Sequence, residues 1–494
     1  MLLPLILAAY GLLHIVIRLV ISGSAELDEA EQLLLSQAVA IGYTDQPPLY
    51  TWLLIGFEAI FGIGILSLAI LKNVLLFLTH FCLFLGARIA LNDAYLAGLT
   101  SLSLWLVPQI AWESHRDLTH SVLVTSISSG FFYVMMRVLH SGQTRHYVLL
   151  GVLLGLGALS KHSFLLFAAA LTGAVLCQPD LRHRLLDRRA LVTLGLATAV
   201  ILPHVVWLFE HVRFGTAPTT RKLELQHDMQ SVQAIAIGLG KLIWACIRFL
   251  SPLWLVCLVI FPSLVTKRAA DSAALRPYRQ MLERFFLLVL GILAAAVVLF
   301  GVTHFKDRWM QPFLFLAPLY VFMRLQAVGG MTPRRLQLFT RLLVGAGLVF
   351  LIAPLAQAWA APWFGMYSRL HVPFEAIARQ LKEEGFRQGT IVAETTFMGG
   401  NLRLTFPHAR VLTPELTVGL QRSPRAAGQC LVIWNGQDRQ ALPASLRAFL
   451  EHTLGARPLD DSAPHYIEAR LKHSRQQVFR VGVLLWPTGL GDCR

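Results

Sequence analysis

The chain contains 494 residues, of which 55% are hydrophobic and 14% are charged, and its mean hydropathy is +0.58. This composition excludes a soluble protein, because about ten of its hydrophobic runs reach the roughly 17–25 residues that a transmembrane helix needs. The formal net charge of +15 does not indicate nucleic-acid binding, since the excess of Arg and Lys in a polytopic membrane protein lies mostly in cytoplasmic loops.

The first predicted element is a transmembrane helix over residues 2–21. It lacks the basic n-region and the cleavage site of a signal peptide, so we expect an uncleaved helix. The next segment, residues 22–71, contains six acidic residues and no Lys or Arg. Because basic residues are concentrated in cytoplasmic loops, this acidic loop is predicted to lie outside.

The other spans are placed so that the clusters of Arg and Lys fall on the cytoplasmic side. They predict a polytopic α-helical membrane protein of about 11–13 transmembrane helices, with the N-terminus inside and the C-terminus outside. The apolar run Leu49–Leu68 breaks this parity if it crosses the membrane, so it is predicted to be an interfacial or re-entrant helix. The predicted spans are residues 2–21, 69–91, 95–112, 118–138, 147–160, 162–177, 190–209, 246–266, 284–303, 309–325 and 341–361.

After the membrane domain (residues 1–364), residues 365–494 contain no apolar run of span length, and helical and strand patterns alternate. We predict a small soluble α/β domain on the same side as the acidic loop. Cys430 and Cys493 can pair in it only if it is external, because disulfides persist in oxidising compartments. Helices are predicted at Pro373–Gly385 and Pro443–Leu454, and strands at Thr390–Glu394, Cys430–Trp434 and Val478–Trp486.

The acidic loop contains two short motifs, Asp28-Glu29-Ala30 and Asp45-Gln46-Pro47-Pro48. Acids held next to a bilayer are costly unless they are solvated or functional. The motifs and their order resemble the first external loop of the GT-C glycosyltransferases, above all the protein O-mannosyltransferase-like family and the lipid A aminoarabinose transferases. The resemblance covers residues 1–320, and it implies a GT-C fold whose catalytic external loop is residues 22–68.

Sugar transfer from a polyprenyl phosphate needs a base that activates the acceptor, and a carboxylate in a fixed position suits that role. The resemblance implies that Asp28 is this base and that Asp45 lines the same site, although Gln46 departs from the Lys or His often found there. We expect Glu29 and Glu31 to be solvated or structural. The alternative for Asp28 is a solvated acid in a first helical turn, where the helix dipole favours carboxylates.

Two further polar segments lie at predicted external ends of spans. In the segment from Glu113 to Asp117, the resemblance places Asp117 in the catalytic pocket, and the alternative is a solvated turn between two helices. At the end of the seventh span, the resemblance suggests that His211 binds a divalent metal, zinc or magnesium, together with Asp45. The alternative is a histidine that packs at the membrane interface.

Basic residues on the predicted external side run against the insertion rule. The phosphate of a lipid-linked donor explains them, because guanidinium and ammonium groups bind phosphate. The resemblance supports this role for Lys161, and the alternative for the group is anchoring at the lipid headgroups. The predicted phosphate-binding residues are Lys161, Arg221, Lys306 and Arg308.

These features favour an inverting glycosyltransferase of the bacterial inner membrane with its active site facing the periplasm. Its expected partners are a polyprenyl-phosphate sugar, the bilayer, and a lipid or glycan acceptor such as lipid A or the lipopolysaccharide core. The sugar is expected to be a uronic acid, aminoarabinose or a hexose. The alternative is a lipid or oligosaccharide flippase or a transporter, but transporters commonly contain repeats and polar residues near the midplane. This chain shows no repeat, and its polar clusters lie at span ends.

Overall fold

The computed structural model describes residues 2–43, 46–211, 232–267, 272–416, 428–437, 441–455, 464–486 and 493. The chain divides into two compact units that are both discontinuous in sequence. The first, which we call the membrane unit, consists of Met1–Leu12, Asp45–Leu49 and Lys72–Leu351. The second, the loop–sheet unit, consists of Leu13–Thr44, Tyr50–Leu71 and Ile352–Arg494. The predicted domain boundary at residue 365 stays a prediction.

Helices make up most of the described chain. The first ten are α1 (Leu2–Ile21), α2 (Leu27–Leu35), α3 (Leu49–Phe61), α4 (Ile65–Leu91), α5 (Ala94–Leu102), α6 (His120–Ser141), α7 (Thr144–Ala158), α8 (Ser163–Leu176), α9 (Pro179–Leu185) and α10 (Ala190–Glu210). They are followed by α11 (Val232–Phe249), α12 (Leu253–Ile260), α13 (Arg276–Phe300), α14 (Ala317–Val328), α15 (Pro333–Trp359), α16 (Phe374–Glu383), α17 (Thr396–Thr405) and α18 (Ala444–Ala448). Short helical turns also occur, including a π-helical turn at Gln109–Glu113 and a 3₁₀ turn at Asp307–Met310.

Seven of the described helices are long and apolar enough to cross a membrane, and two bent helix pairs raise this number to nine. About 20 residues of α-helix span about 30 Å, the thickness of the hydrocarbon layer. The polytopic α-helical fold class is therefore confirmed. The predicted 11–13 crossings exceed nine partly because α7 and α14 have only 15 and 12 residues.

Prolines explain two differences from the predicted spans. The predicted span at residues 95–112 is bent by 77° between Ala94–Leu106 and Gln109–Arg116, and Pro108 lies at the bend. The predicted span at residues 246–266 is wrong as a single helix, because α11 ends before Pro252 and α12 ends before Pro262. Proline cannot donate a backbone hydrogen bond and clashes with the preceding helical turn, so it breaks or kinks a helix.

The acidic loop folds into the two short helices α2 and α3. Helix α3 ends at Gly62, whose φ of +84° lies in the left-handed region that favours glycine. The apolar run Leu49–Leu68 is therefore divided between α3 and the first turn of α4. A short separate helix agrees with the predicted interfacial helix, while its depth in the membrane stays a prediction.

The loop–sheet unit contains a mixed five-stranded sheet with the order β2-β1-β3-β5-β4. The three predicted strands are confirmed as β1, β3 and β5. They could be predicted because their buried apolar residues give a clear strand pattern. Strand β2, which has only three residues, and strand β4 were not predicted. The strands are β1 (Gly389–Ala393), β2 (Arg410–Leu412), β3 (Gln429–Asn435), β4 (His465–Arg470) and β5 (Val478–Trp486).

Strand β1 is parallel to both β2 and β3, and β5 is antiparallel to both β3 and β4. A disulfide joins Cys430 in β3 to Cys493, with their Cα atoms 5.7 Å apart. The hydrophobic core around the sheet also contains residues of the acidic loop, among them Leu34, Leu35 and Tyr43. The acidic loop and the sheet therefore share one core.

Candidate active site

Asp28 lies in the first turn of α2, two residues after the N-cap Glu26. Its side chain is half-buried, whereas the side chains of Glu26 and Glu29 on either side of it are buried. Because carboxylates are stabilised by the dipole at a helix N-terminus, this turn can hold three acids within four residues. The difference in burial separates Asp28 from its acidic neighbours.

An ion pair holds Glu29 in place. The Glu29 Oε2 atom lies 2.8 Å from Nη2 of Arg18 in α1, and both side chains are almost completely buried. Arg18 also donates hydrogen bonds to the carbonyl oxygens of Ser22 and Ser24, each at 2.8 Å. The same Glu29 oxygen accepts a hydrogen bond of 3.1 Å from the backbone N–H of Glu26. Glu29 is therefore structural, which is one of the two alternatives, solvated or structural, that were predicted from the sequence.

Glu26 and Tyr50 also belong to the part of the loop–sheet unit around Asp28. Glu26 Oε2 lies 3.6 Å from Nη1 of Arg369, which follows the last transmembrane helix. Tyr50 in α3 is fully buried. Burial raises the pKa of Tyr50, and the charges of Glu29 and Asp28 raise it further. The phenol therefore stays protonated near these two carboxylates.

In the membrane unit, Asp117 follows a distorted stretch of helix. The π-helical turn Gln109–Glu113 precedes it, and π-turns inside helices occur often at functional sites. Asp117 is 7% exposed, and its backbone N–H donates to the Glu113 carbonyl at 3.0 Å. Glu113 also forms a half-buried ion pair of 3.0 Å with Arg116. The turn thus places one buried carboxylate at the start of α6.

Lys161 lies beside this turn. Its Nζ atom donates a hydrogen bond of 3.0 Å to Oγ of Ser121, in the first turn of α6. The Leu159 carbonyl oxygen, in the same connection between α7 and α8, accepts from the backbone N–H of Leu49 at 3.1 Å. Leu49 directly follows Pro47-Pro48. The structure therefore brings together the proline pair, the Lys161 turn and the segment that carries Asp117.

Lys72 is a residue of this region that the sequence analysis missed. It lies in α4 and is 1% exposed, and its Nζ donates to the Arg116 carbonyl oxygen at 3.3 Å. An ionisable side chain buried in a membrane helix marks a functional site by default, because its burial is expensive. A lysine inside a long apolar run is a visible signal in the sequence, although it lies away from the polar clusters at the span ends.

The segment with Lys306 and Arg308 is anchored through the residue between them. Asp307 Oδ2 accepts from Nε2 of Gln109 at 3.0 Å and lies 3.3 Å from Nη2 of Arg248. Lys306 is exposed and Arg308 is half-buried. Gln109 belongs to the π-helical turn before Asp117, so the Lys306–Arg308 segment and the Asp117 segment are linked. Their roles in phosphate binding stay predictions.

His211 lies at the C-terminal end of α10. Its Nδ1 atom is 2.9 Å from the Trp207 carbonyl oxygen, and its ring stacks on the Trp207 ring at a centroid distance of 4.7 Å. The predicted metal partner Asp45 and the predicted phosphate ligand Arg221 lie outside the described residues. Within the described part of the chain, three or more His, Cys, Asp or Glu side chains do not group into a metal site. The metal stays a prediction.

Comparisons with known proteins show two relatives that cover most of the chain. The lipopolysaccharide core galacturonosyltransferase RgtA of Rhizobium johnstonii is 34% identical over 436 residues, 88% of this chain and 86% of RgtA. The lipopolysaccharide core galacturonosyltransferase RgtB of the same organism is 32% identical over 452 residues, 91% of this chain and 90% of RgtB. The family model for dolichyl-phosphate-mannose-protein mannosyltransferase matches residues 45–207.

Solved structures show the same fold. The crystal structure of ArnT from Cupriavidus metallidurans bound to undecaprenyl phosphate superposes with a TM-score of 0.61 at 13% identity, covering 97% of both chains. The apo form of ArnT gives a TM-score of 0.62 at 14% identity, also over 97% of both chains. This likeness covers nearly the whole length of both chains.

Proposed function

Because the chain belongs to the GT-C superfamily of membrane glycosyltransferases, in the family that includes RgtA and RgtB, we propose that it transfers galacturonic acid from a polyprenyl-phosphate donor to the lipopolysaccharide core. The observation that carries this proposal is the 34% identity to a lipopolysaccharide core galacturonosyltransferase over 88% of the chain. The flippase or transporter alternative is not retained, since the chain is a multi-pass glycosyltransferase.

The polyprenyl-phosphate donor is supported by the ArnT fold, whose crystal structure contains undecaprenyl phosphate. It is also supported by the cations of the membrane unit. Lys161, in the connection between α7 and α8, donates to Ser121 at the start of α6, beside the Asp117 segment. Arg308 is tied to the same segment through Asp307 and Gln109. Cations fixed in position stabilise the charge that develops on a leaving phosphate.

In the proposed reaction, the Asp28 carboxylate accepts the proton of an acceptor hydroxyl group. The hydroxyl oxygen forms a bond to the anomeric carbon of the donor sugar. The bond between that carbon and the phosphate oxygen breaks, and the polyprenyl phosphate leaves with the electron pair. Attack from the side opposite to the phosphate inverts the anomeric configuration. Asp117 belongs to the segment that the contacts described above link to Lys161 and Arg308, and Lys72 contacts the same segment. We therefore assign Asp117 and Lys72 to the donor side of the site.

We place the enzyme in the bacterial inner membrane with Asp28 facing the periplasm. Two observations support this orientation. Residues 22–71 contain no Lys or Arg, which is typical of an external loop. The Cys430–Cys493 disulfide belongs to the unit that contains Asp28, and disulfides persist in oxidising compartments such as the periplasm. A reporter fused after Arg494 should be active in the periplasm, and activity only in the cytoplasm would reverse this orientation.

Two measurements test the proposed function. Mass spectrometry of the lipopolysaccharide core should show the loss of a galacturonic acid mass when the gene is deleted, and its return with the wild-type gene. Purified protein should transfer galacturonic acid from the polyprenyl-phosphate donor in preference to aminoarabinose or hexose donors. An unchanged core would exclude this acceptor, and transfer from a nucleotide sugar alone would exclude the lipid-linked donor. Activity that survives a strong chelator would remove the predicted metal.

A further inference from the structure

Helix α2, which carries Asp28, packs against α17 in the C-terminal α/β region. The contact is close because Gly400 of α17 has no side chain: a Cβ atom there would overlap the carbonyl oxygen of Ala30 and come within 2.6 Å of the Ala30 Cα atom. Ala30 is two residues from Asp28. The position of the first turn of α2 therefore depends directly on the backbone of α17.

Hydrogen bonds from the C-terminal region fix the chain just before α2. Asn401, the neighbour of Gly400, accepts from the backbone N–H of Ala25 at 2.7 Å and donates to its carbonyl oxygen at 3.2 Å. Ser22 and Ser24 donate to the carbonyl oxygens of Leu370 and Val372, at 2.7 and 2.9 Å. Both the backbone and the side chains of the segment just before α2 are therefore fixed.

The other end of α2 is fixed as well. The Gln37 side chain accepts from the backbone N–H of Val411 at 2.8 Å and donates to its carbonyl oxygen at 3.0 Å, so it occupies the place of a further strand beside β2. Arg403 of α17 donates to Ser36 Oγ at 2.8 Å, and Ser36 donates to Glu58 of α3 at 3.0 Å. Arg403 and Glu58 are themselves 3.8 Å apart and almost fully buried.

We propose that the C-terminal α/β region positions Asp28 for catalysis, with Gly400, Asn401 and Arg403 as its positioning residues. The proposal rests on the proposed function, and it gives this region a role in the reaction. None of the three residues needs to touch the substrate. They set the place of a carboxylate that is carried by another part of the sequence, and displacement of a catalytic group by about 1 Å can cost about a hundredfold in rate.

The test is the variant Gly400→Ala in the full-length protein. The new methyl group should push α2 away from α17, so that kcat falls by about ten- to a hundredfold, while KM for the lipid-linked donor changes less than threefold. Hydrogen–deuterium exchange should be faster in α2 than in wild-type protein and unchanged in β1 and β3. Gly56→Ala is the matched control, because a Cβ at this helical glycine of α3 meets nothing within 4 Å. It should behave as wild type.

Asn401→Ala is the second variant, in case Gly400→Ala fails to fold. It removes both hydrogen bonds to Ala25 without adding an atom, and it should change kcat and α2 exchange in the same direction. The proposal would be overturned if α2 exchanged faster than in the wild-type protein while kcat stayed at the wild-type value. It would also be overturned if both variants kept the wild-type exchange of α2 and the wild-type kcat. Failure of the proposed function is seen separately, as absence of turnover by the wild-type protein. In that case, the exchange of α2 alone decides whether the C-terminal region holds it.

Discussion

The ion pairs of the two units differ in how deeply they are buried. In the loop–sheet unit, the buried carboxylates described above lie next to guanidinium groups: Glu29 next to Arg18 at 2.8 Å, and Glu58 next to Arg403 at 3.8 Å. In the membrane unit, the ion pairs described above are partly exposed: Asp307 next to Arg248 at 3.3 Å, and Glu113 next to Arg116 at 3.0 Å.

This difference indicates different tasks. A buried ion pair is costly to form and more costly to break, so it suits a part of the molecule whose geometry must not change. A partly exposed ion pair contributes only about 0–1 kcal/mol, so a contact with a phosphate group can replace it at small cost. We therefore interpret the loop–sheet unit as the holder of the base and the membrane unit as the binding region for the donor phosphate.

The largest expected effect concerns Asp28, the half-buried acid in the first turn of α2. Asp28→Asn should lower kcat by about 10²- to 10⁴-fold, because an amide cannot accept the acceptor proton. The protein should remain inserted and folded, since the ion pair of Glu29 is retained. Initial rates with purified variants measure this effect, with Glu31→Gln as the control that should keep its rate. Turnover of Asp28→Asn at the wild-type rate would remove Asp28 from the chemistry.

The next effect is on stability. Arg18→Met leaves the Glu29 carboxylate buried without its partner and should lower the free energy of unfolding by about 3–5 kcal/mol. A lower melting temperature of the detergent-solubilised protein should report it. The double variant Arg18→Met, Glu29→Gln should recover much of the loss, because no isolated charge is then buried. If the single variant melts like the wild type, this pair does not stabilise the loop–sheet unit.

Hydropathy and alternation predicted much of the fold, because burial in a bilayer or in a sheet core imposes a simple pattern on the sequence. The strands β1, β3 and β5 and the apolar helices follow it. Strand β2 did not, since three residues are too few to show a period. The bend at Pro108 could be predicted from the proline, but the angle of the bend depends on packing that the sequence does not reveal.

The candidate site was predictable only in part. The motif around Asp28 is local, so the sequence singled out this acid, but it left open whether Glu29 is solvated or structural. That distinction depends on Arg18, which lies 11 residues away in a transmembrane helix. The link from Ser36 to Arg403 joins residues 367 positions apart, and nothing in either local sequence indicates the other. Tertiary packing decides such pairs.

A smaller effect is expected for the cations. Replacing Lys161, Arg221, Lys306 or Arg308 by Gln should raise KM for the lipid-linked donor by about ten- to a hundredfold, since a hydrogen bond to a charged group is worth about 1.5–3 kcal/mol. Donor titrations normalised to folded protein measure this change. Residues that only anchor the protein would instead lower the amount of inserted protein. Arg188→Gln, an exposed arginine of a predicted cytoplasmic loop, is the control. Unchanged KM in all four variants would exclude a phosphate site.

The smallest expected effect is the pH dependence of the Glu58 pair. Burial raises the pKa of Glu58 above its ordinary value of 4.5, although Arg403 and the hydrogen bond from Ser36 act in the opposite direction. A raised pKa in the folded state means that the folded protein binds the proton more tightly than the unfolded chain. The contribution of Glu58 to stability is then complete below pH 4.5, and it is lost as the pH rises through the folded-state pKa. Arg403 stays charged throughout, because burial lowers its pKa only to about 10.

Melting temperatures between pH 4 and 7 should therefore fall more steeply with pH for the wild type than for Glu58→Gln. Glu375→Gln, at an exposed carboxylate of the same unit, should keep the wild-type slope. Parallel curves for the wild type and Glu58→Gln would mean that the arginine fully offsets the burial of this carboxylate, and the Glu58 pair would then be as firm as that of Arg18 and Glu29.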